Sequence, residues 1–336
     1  MSSLSHHVVN MSALDVDLAA FAANPPDVMI VDPPYSKHVH KSAVSQSVVG
    51  GSRERDLGFE HLTPALRRRI ARFAAFTRRW SLIYTDLESM AWWRISLEAA
   101  GATYIRSIPW VRWSMPQLSG DRPPTGCEAV IVAYGGGKGR KHWNGPGNLL
   151  ALRHEGVEVD VAAADVAAAD VAAEIGALTL EHTCMRGEDK HKAQKSLDQL
   201  LDLVTWFSDE GEIVFDPTAG SCTTGLAAKI LLRSFVGFEI KPEWVAHGKT
   251  RLASWGAGGV AGLSKGDAVR YARFLETQTK EKADLARLAE TTAKMRAKGE
   301  AKRAADKATT DGAAVGGELG VLADAIVTTR REATTP

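Results

Sequence analysis

The sequence is short of the features that mark several protein classes. It has 3 cysteines in 336 residues, and Cys127, Cys184 and Cys222 have neither the spacing of a disulfide framework nor that of zinc ligands, which is typical of a reducing compartment. The first residues carry no apolar run long enough for a signal peptide, and no later run approaches a membrane span. The 41 Lys and Arg residues balance the 40 Asp and Glu residues, so any nucleic-acid surface must be a local patch. These absences predict a cytoplasmic protein without a membrane segment.

Short apolar runs alternate with helical patterns along most of the chain. The predicted strands are 28–31, 81–84, 104–111, 129–133, 212–215 and 234–239, and the predicted helices are 64–79, 88–100, 197–207, 223–232 and 243–252. Apolar runs of this kind are typical of strands that are buried on both faces. The order of strand, helix and strand predicts an α/β fold with right-handed crossovers and a parallel sheet.

Three segments depart from this pattern. Residues 36–60 are rich in Ser, Gly, His and charge, and so long a connection predicts a lid or binding loop. Apolar periodicity fails again over 135–184, where a repeated Asp-Val-Ala-Ala-Ala indicates a low-complexity insert. Late in the chain charged residues alternate with alanine, which predicts a main domain at 1–275 and a charged helical or disordered tail at 276–336.

One predicted strand leads through a loop of small residues into a helix. The loop reads Asp216-Pro217-Thr218-Ala219-Gly220-Ser221-Cys222-Thr223-Thr224. Its backbone N–H groups and the helix N-terminus suit a carboxylate or a phosphate of a ligand. Glu239, at the tip of the next strand, is placed to accept hydrogen bonds from two ribose hydroxyls. The GxGxxG pattern is missing, which argues against a nicotinamide cofactor; the alternative interpretation is an ordinary β–α turn.

A second candidate site, Asp32-Pro33-Pro34-Tyr35, follows the predicted strand 28–31. An aromatic amine is a poor nucleophile because its lone pair is delocalised into the ring. Asp32 and the Pro33 carbonyl could each accept an N–H of such an amine, and successive prolines hold that carbonyl in place. Tyr35 could stack on a base taken out of a duplex. The alternative is a proline turn that only closes the strand.

Both segments resemble the signature motifs of the DNA amino-methyltransferases, which methylate adenine N6 or cytosine N4. The catalytic motif of that family is similar to Asp32–Tyr35, and its cofactor motif, D-P-F-x-G-S-G-T-T, is similar to Asp216–Thr224. Residues 191–197 resemble the H-P-T-Q-K-P-L segment that packs beside the cofactor in relatives. The resemblance therefore adds three expected cofactor-binding residues: His191, Gln194 and Lys195.

The resemblance implies a Rossmann-like fold for methyltransferases that depend on S-adenosylmethionine. Because the catalytic motif precedes the cofactor motif, the order is similar to that of the beta group, a circular permutation of this fold. It further implies base flipping in double-stranded DNA, direct transfer of the methyl group, and a target-recognition region at 135–184. By resemblance alone, a homodimer and a cognate restriction endonuclease are candidate partners, and the chain is expected to be prokaryotic or phage-encoded.

Two residues of the motifs bear on activity. Asp32 at the first motif position favours adenine, since cytosine enzymes of this family more often begin the motif with Ser. Cys222 stands where the family usually has its second glycine, and we expect its thiol to add bulk where the amino-acid end of the cofactor approaches. The alternatives that stay open are methylation of cytosine N4 or of an RNA base, and a catalytically weak protein that binds DNA or cofactor.

Basic and aromatic residues outside the motifs are candidate DNA contacts. A compact run lies in the glycine-rich loop after residue 135, and further basic residues follow the catalytic tyrosine. An ordinary solvated loop is the alternative for the first group. The expected contacts are Lys37, Arg53, Arg55, Lys138, Arg140, Lys141, His142 and Trp143. For Trp110, core packing is favoured over base stacking, and no metal site is predicted because His38 and His40 lack further ligands.

Overall fold

The computed structural model describes residues 4–37, 44–46, 52–54, 60–111, 127–135, 141–145, 180–181 and 194–279, together with 290, 293, 294 and 297. The chain divides into two units, Met1–Phe274 and Leu275–Pro336. The first unit is built around an eight-stranded sheet.

The elements of this unit alternate along the chain. The strands are β1 (His6–Asn10), β2 (Val28–Val31), β3 (Val44–Gln46), β4 (Ser52–Glu54), β5 (Trp80–Thr85), β6 (Thr103–Val111), β7 (Cys127–Tyr134), β8 (Leu180–Glu181), β9 (Ile213–Asp216) and β10 (Ser234–Glu239). The helices are α1 (Leu18–Ala23), α2 (Pro64–Phe76), α3 (Met90–Ala100), α4 (Leu197–Phe207), α5 (Thr223–Ile230) and α6 (Pro242–Gly258), and residues 265–274 are also helical. Within the ranges described, no helix combines the length and the apolar character needed to cross a membrane.

The large sheet has the order β1-β10-β9-β2-β5-β7-β6-β8, and β3 and β4 form a separate antiparallel pair. Strands β1, β10, β9, β2 and β5 are parallel, which confirms the predicted α/β fold. The prediction of a purely parallel sheet is wrong at β7, which is antiparallel to both β5 and β6. An unbroken apolar run has the same pattern in either direction, so the sequence of β7 carried no sign of its direction.

Helices cover both faces of the sheet. All four residues of β2 are buried, and successive side chains point into two different cores. Met29 and Val31 pack with α2 and α3, whereas Val28 and Ile30 pack with α4, α5 and α6. This double burial explains why the central strands are continuous apolar runs rather than alternating ones.

Several elements were missed in the sequence, among them β1 and the helix over 265–274. Strand β1 lies at the edge of the sheet beside β10, and of its residues only Val8 is buried, so its sequence has no apolar run. The helix over 265–274 is anchored by buried Asp267, Arg270 and Phe274. Two of these three residues are charged, and therefore the apolar spacing that marks a helix is weak there.

We predict that Gly135→Ala destabilises the fold. Gly135 follows β7 and donates its N–H to the Arg79 carbonyl, and a Cβ at this position would lie 2.0 Å from the Ala74 carbonyl oxygen and 2.4 Å from that of Thr77. Because backbone cannot move aside easily, we expect a loss of about 1–3 kcal/mol in urea denaturation. Gly258→Ala is the matched control, since its Cβ would meet no atom within 4 Å. Equal stabilities of the two variants would contradict the packing described here.

Candidate active site

The two predicted motifs meet at one edge of the sheet. Parallel strands β10, β9 and β2 are neighbours, and an acidic residue stands at the carboxyl end of each one: Glu239, Asp216 and Asp32. In an α/β sheet this edge is where ligands bind, because the loops that follow parallel strands open there. The structure thus brings Asp32–Tyr35 and the loop 216–224 together, although 184 residues separate Asp32 from Asp216.

Direct hydrogen bonds join the two motifs. The Thr218 hydroxyl donates to the main-chain carbonyl of Asp32 at 3.2 Å. The Thr218 N–H and the Thr224 hydroxyl donate to the two carboxylate oxygens of Asp216, at 3.0 and 2.8 Å. The cofactor loop is therefore bonded to the backbone of the catalytic motif on one side and to the end of β9 on the other.

Asp216 is buried, and its burial raises the pKa of its carboxyl to about 7. The hydrogen bonds from Thr218 and Thr224 lower this pKa but do not offset the burial, and the negative charges of Asp32 and Glu239 raise it further. The raised pKa leaves Asp216 partly protonated near pH 7, so the negative charge at this edge of the sheet is carried by Asp32 and Glu239. Such a site favours a ligand that carries positive charge over one that carries phosphates.

Three further hydrogen bonds hold the rest of the loop. Gly220, with a positive φ of 50°, donates its N–H to one oxygen of Glu239 at 3.0 Å. Buried Arg251 of α6 donates to the Ser221 carbonyl at 3.0 Å and to the Thr223 hydroxyl at 2.9 Å. Arg251 had no predicted role, because this contact depends on how α6 packs against the loop.

Cys222 corrects one expectation. The residue is in the left-handed region, with φ 61°, but its side chain is fully buried and belongs to the core cluster beneath the loop. A Cβ added to Gly225 would collide with the Sγ of Cys222. A Cβ added to Gly248 of α6 would collide with the Cβ of Cys222. Burial raises the pKa of the thiol to about 12, so the thiol is neutral. The expectation that the thiol protrudes towards a cofactor is wrong, because the left-handed backbone turns Cβ into the core.

The catalytic motif is surrounded by a cluster of charged and aromatic side chains. The Tyr35 hydroxyl donates to Glu128 of β7, and the Lys195 ammonium donates to the Tyr35 hydroxyl at 3.0 Å. The same ammonium lies 3.1 Å from Asp32 Oδ1 and 3.5 Å from Glu128 Oε2. Glu128 was missed in the sequence because the predicted strand began one residue later and had the opposite direction.

In the described part of the chain, Lys195 of the segment that precedes α4 contacts the candidate catalytic motif. The resemblance assigned Lys195 to the cofactor, but its contacts in the described part of the chain are with the catalytic motif, with Glu128 and with the rings of Tyr84 and Trp110. Trp110 is buried, as its predicted core packing requires. Gln194 is partly buried beside Lys195, and His191 lies outside the described residues.

The structure separates three candidate DNA contacts from the site. The His142 carbonyl accepts a hydrogen bond from the Trp80 indole at 2.5 Å, Lys141 lies over the Tyr134 ring, and Trp143 packs near Phe207. Trp80 begins β5 and Tyr134 ends the antiparallel β7, so both lie at the amino edge of the parallel strands. The six residues of β5 span roughly 20 Å at about 3.3 Å each. This length separates the amino edge of the sheet from the edge that carries the two motifs.

The other candidate DNA contacts are described only in part. Lys37 is exposed directly after the catalytic motif, and the backbone of Arg53 belongs to β4. Arg55, Lys138 and Arg140 lie outside the described residues, as does nearly all of the predicted insert. In the part of the chain that is described, no group of three His, Cys, Asp or Glu side chains is arranged to hold a metal ion.

Comparison with known proteins identifies the family. A family model described as DNA methylase, N6_N4_Mtase, matches residues 27–250, about two thirds of the 336 residues, and this span includes both motifs. The chain belongs to this DNA methylase family. In this chain, the family span runs from β2 to α6 and so covers every strand of the large sheet except β1.

Individual relatives match either over a short segment or over a long segment at lower identity. The chain is 41% identical over 64 residues to the DNA adenine methyltransferase YhdJ of Escherichia coli K12, a match that covers 19% of this chain and only 22% of YhdJ. It is 26% identical over 234 residues to the Type II methyltransferase M2.LlaDCHI of Lactococcus lactis subsp. cremoris, which covers 67% of this chain and 81% of that protein. The crystal structure of the M1.HpyAVI–SAM complex is 23% identical, covers 73% of this chain and 98% of that one, and has a TM-score of 0.49.

Asp216 should make stability depend on pH. Its pKa is raised to about 7 in the fold, so between about pH 4 and 7 the folded chain keeps a proton that the unfolded chain has released. Its contribution to stability is therefore present below pH 4 and is lost as the pH rises to 7. Relative to Asp216→Asn, the wild type should lose on the order of 4 kcal/mol across this window in urea denaturation. Asp15→Asn, at an exposed position, is the control, and parallel profiles for wild type and Asp216→Asn would contradict the burial of this carboxyl.

Cys222 and Gly248 should be energetically coupled. In Gly248→Ala the new Cβ would lie 2.9 Å from the Cys222 Cβ, and we expect a loss of about 1–3 kcal/mol from this overpacking. Cys222→Gly removes that atom and the left-handed strain of a non-glycine residue, so Gly248→Ala should cost much less in this background. A cycle of denaturation measurements on the two single variants and the double variant gives the coupling. Simple additivity would show that the thiol does not fill this space.

Proposed function

We propose that this chain transfers a methyl group from S-adenosylmethionine to the exocyclic N6 amine of adenine in double-stranded DNA, within a specific sequence. The observation that carries the proposal is the hydrogen bond from Thr218 to Asp32, which joins the candidate cofactor loop to the candidate catalytic motif at one sheet edge. Membership of the DNA methylase family supports DNA as the substrate. The choice of adenine rests on Asp32 at the first motif position and on the similarity to YhdJ.

The residues of the cofactor loop fit S-adenosylmethionine by their charge. Asp32 and Glu239 stand at the ends of the two strands that flank β9, and their carboxylates suit a sulfonium cation better than a dinucleotide pyrophosphate. Glu239 accepts N–H bonds from Gly220 and Lys241, so its carboxylate is held at the strand end where ribose hydroxyls would donate to it. When bound, S-adenosylmethionine supplies the electrophilic methyl group.

Asp32 and the motif backbone would prepare the amine. The carboxylate of Asp32 and the carbonyl of Pro33 accept N–H bonds from the exocyclic amine, which shifts its nitrogen towards tetrahedral geometry and directs its lone pair. As the new N–C bond forms and the S–C bond breaks, the nitrogen gains positive charge that Asp32 stabilises. The proton that the nitrogen then loses goes to Asp32 or to water. Most of the acceleration comes from positioning, which supplies roughly 7–11 kcal/mol in well-oriented reactions.

Tyr35 would hold the target base after it leaves the duplex. Base stacking on an aromatic ring contributes about 1–3 kcal/mol, which is comparable with the few kcal/mol that base flipping costs. Adenine is favoured because the motif begins with Asp32 rather than Ser, as the resemblance implies. The similarity of a 64-residue segment to the E. coli DNA adenine methyltransferase YhdJ supports the same choice.

Several predictions from the sequence accompany this proposal and stay predictions. They are the circular permutation of the fold, the division into a catalytic domain at 1–275 and a tail at 276–336, and the target-recognition role of 135–184. A homodimer, a partner restriction endonuclease and a cytoplasmic location belong to the same group. Of the expected DNA contacts, Lys37 is the one whose described side chain adjoins the catalytic motif.

The decisive test is methyl transfer from labelled S-adenosylmethionine to unmethylated double-stranded DNA, with mass analysis of the nucleosides. The wild type should form N6-methyladenine, and Asp32→Asn should reduce the rate at least about 100-fold because the amide cannot stabilise positive charge on the nitrogen. Asp15→Asn is the control, since this carboxylate is exposed and belongs to neither motif.

Other methylated products would contradict particular parts of the proposal. N4-methylcytosine would keep the reaction and overturn the choice of base, and methylation of RNA alone would overturn the choice of nucleic acid. Folded wild-type protein that binds DNA but transfers no methyl group to DNA or RNA would favour a binding protein instead.

A further inference from the structure

A single lysine ammonium stands at the centre of the catalytic cluster. The Lys195 side chain is only 11% exposed, and its Nζ contacts Asp32 Oδ1, Glu128 Oε2 and the Tyr35 hydroxyl at 3.1, 3.5 and 3.0 Å. Its Nζ also lies 5.1, 4.9 and 4.7 Å from the ring centroids of Tyr35, Tyr84 and Trp110. These contacts hold the ammonium in one position, whereas a lysine side chain that is free in solution has several rotamers.

We infer that Lys195 is a positioning residue of the catalytic motif, which together with Glu128 holds the Asp32 carboxylate and the Tyr35 ring in the geometry that methyl transfer requires. The inference rests on the proposed function, and it moves Lys195 from the cofactor, where the family resemblance assigned it, to the base-binding side. It also gives a role to Glu128, which lies on β7 outside both motifs.

The contacts with Tyr35 show how the ring is held. Its hydroxyl donates to Glu128 and accepts from Lys195, so both hydrogen-bonding directions of the hydroxyl are used. A nitrogen 3.0 Å from the hydroxyl and 5.1 Å from the ring centroid lies towards the hydroxyl end and not above the centre of the ring. The contact therefore fixes the orientation of the ring, and Lys195 itself does not lie over the ring centre.

The charges of the cluster suit the reaction. Two carboxylates, Asp32 and Glu128, share one ammonium, so these three side chains carry one net negative charge. That charge faces a nitrogen that becomes positive as it is methylated, which stabilises the transition state more than the ground state. Without Lys195 the two carboxylates would repel each other at short range in a poorly solvated site, and Asp32 would no longer be held.

The aromatic rings explain how a lysine can be buried here. Burial of a charged group is costly unless it is compensated, and both the carboxylates and the ring faces compensate an ammonium. Tyr84 is fully buried and Trp110 is 4% exposed, so two of the three rings around the Lys195 ammonium belong to the core. Rigid core residues hold the ammonium, and the ammonium in turn holds the catalytic side chains.

The test compares Lys195→Met with the wild type in two separate measurements. Isothermal titration with S-adenosylmethionine gives cofactor affinity, and single-turnover methyl transfer at saturating cofactor gives the rate of the chemical step. We expect unchanged cofactor affinity and a rate reduced by about 100-fold, the effect of a displacement of about 1 Å at a reacting centre. Lys229→Met is the matched control, because Lys229 is also partly buried but donates to the Leu252 carbonyl away from the site.

A second variant separates positioning from folding. Lys195→Met with Glu128→Gln keeps the net charge of the cluster at one negative charge, so it should recover any stability that the single variant loses. Its rate should stay low, because neither Asp32 nor Tyr35 is then held by the ammonium. A double variant that transfers methyl groups at the wild-type rate would overturn the inference.

Two further results would contradict the inference in different ways. Weakened cofactor affinity with an unchanged rate at saturation would return Lys195 to the cofactor site. An active wild type with an equally active Lys195→Met would overturn the positioning role and leave the proposed function intact. A wild type that methylates no nucleic acid would instead overturn the proposed function, and the inference with it.

Discussion

The parallel pairing of β2 with β9 is the interaction on which the candidate site depends. Val28 pairs with Val214 and Met29 with Phe215, so the two strands end side by side. Their carboxyl ends carry Asp32 and Asp216, and the Thr218 hydroxyl links the loops that follow. Parallel pairing requires long crossover connections, and here helices α2, α3 and α4 provide them while burying both faces of the sheet. The same burial that stabilises the fold therefore brings the two motifs together.

Electrostatics at this edge divide into two neighbouring environments. On the side of the loop 216–224, Glu239 carries the negative charge, and Asp216 is buried with its pKa raised to about 7 by that burial. On the other side Asp32 and Glu128 are compensated by Lys195, which is enclosed by aromatic rings. A cationic donor of a methyl group suits the first environment, and an uncharged base that gains positive charge during the reaction suits the second.

The loop after β9 shows how core packing supports a site without contributing side chains to it. Cys222 turns inward from a left-handed backbone and packs against Gly225 and Gly248, positions where any Cβ would collide with it. Arg251, bonded twice to Asp267 at 2.8 Å, reaches from α6 to the Ser221 carbonyl. A buried ion pair of this geometry holds the loop from below, and losing one partner of such a pair is strongly destabilising because the other charge stays buried.

The sequence by itself determined the α/β class, the strand that precedes each motif and the motifs themselves, because each of these is a local pattern of apolar runs, prolines and small residues. Only the tertiary structure decided which distant side chains join the site. Glu128 reaches Tyr35 because β7 is antiparallel, Lys195 turns to Asp32 because the segment before α4 lies over the catalytic motif, and Cys222 is buried because its backbone is left-handed. Lys141 lies at the opposite edge for the same reason, since it follows the end of an antiparallel strand. Strand direction and backbone handedness leave little trace in a pattern of apolar and polar residues, whereas they decide where each side chain points.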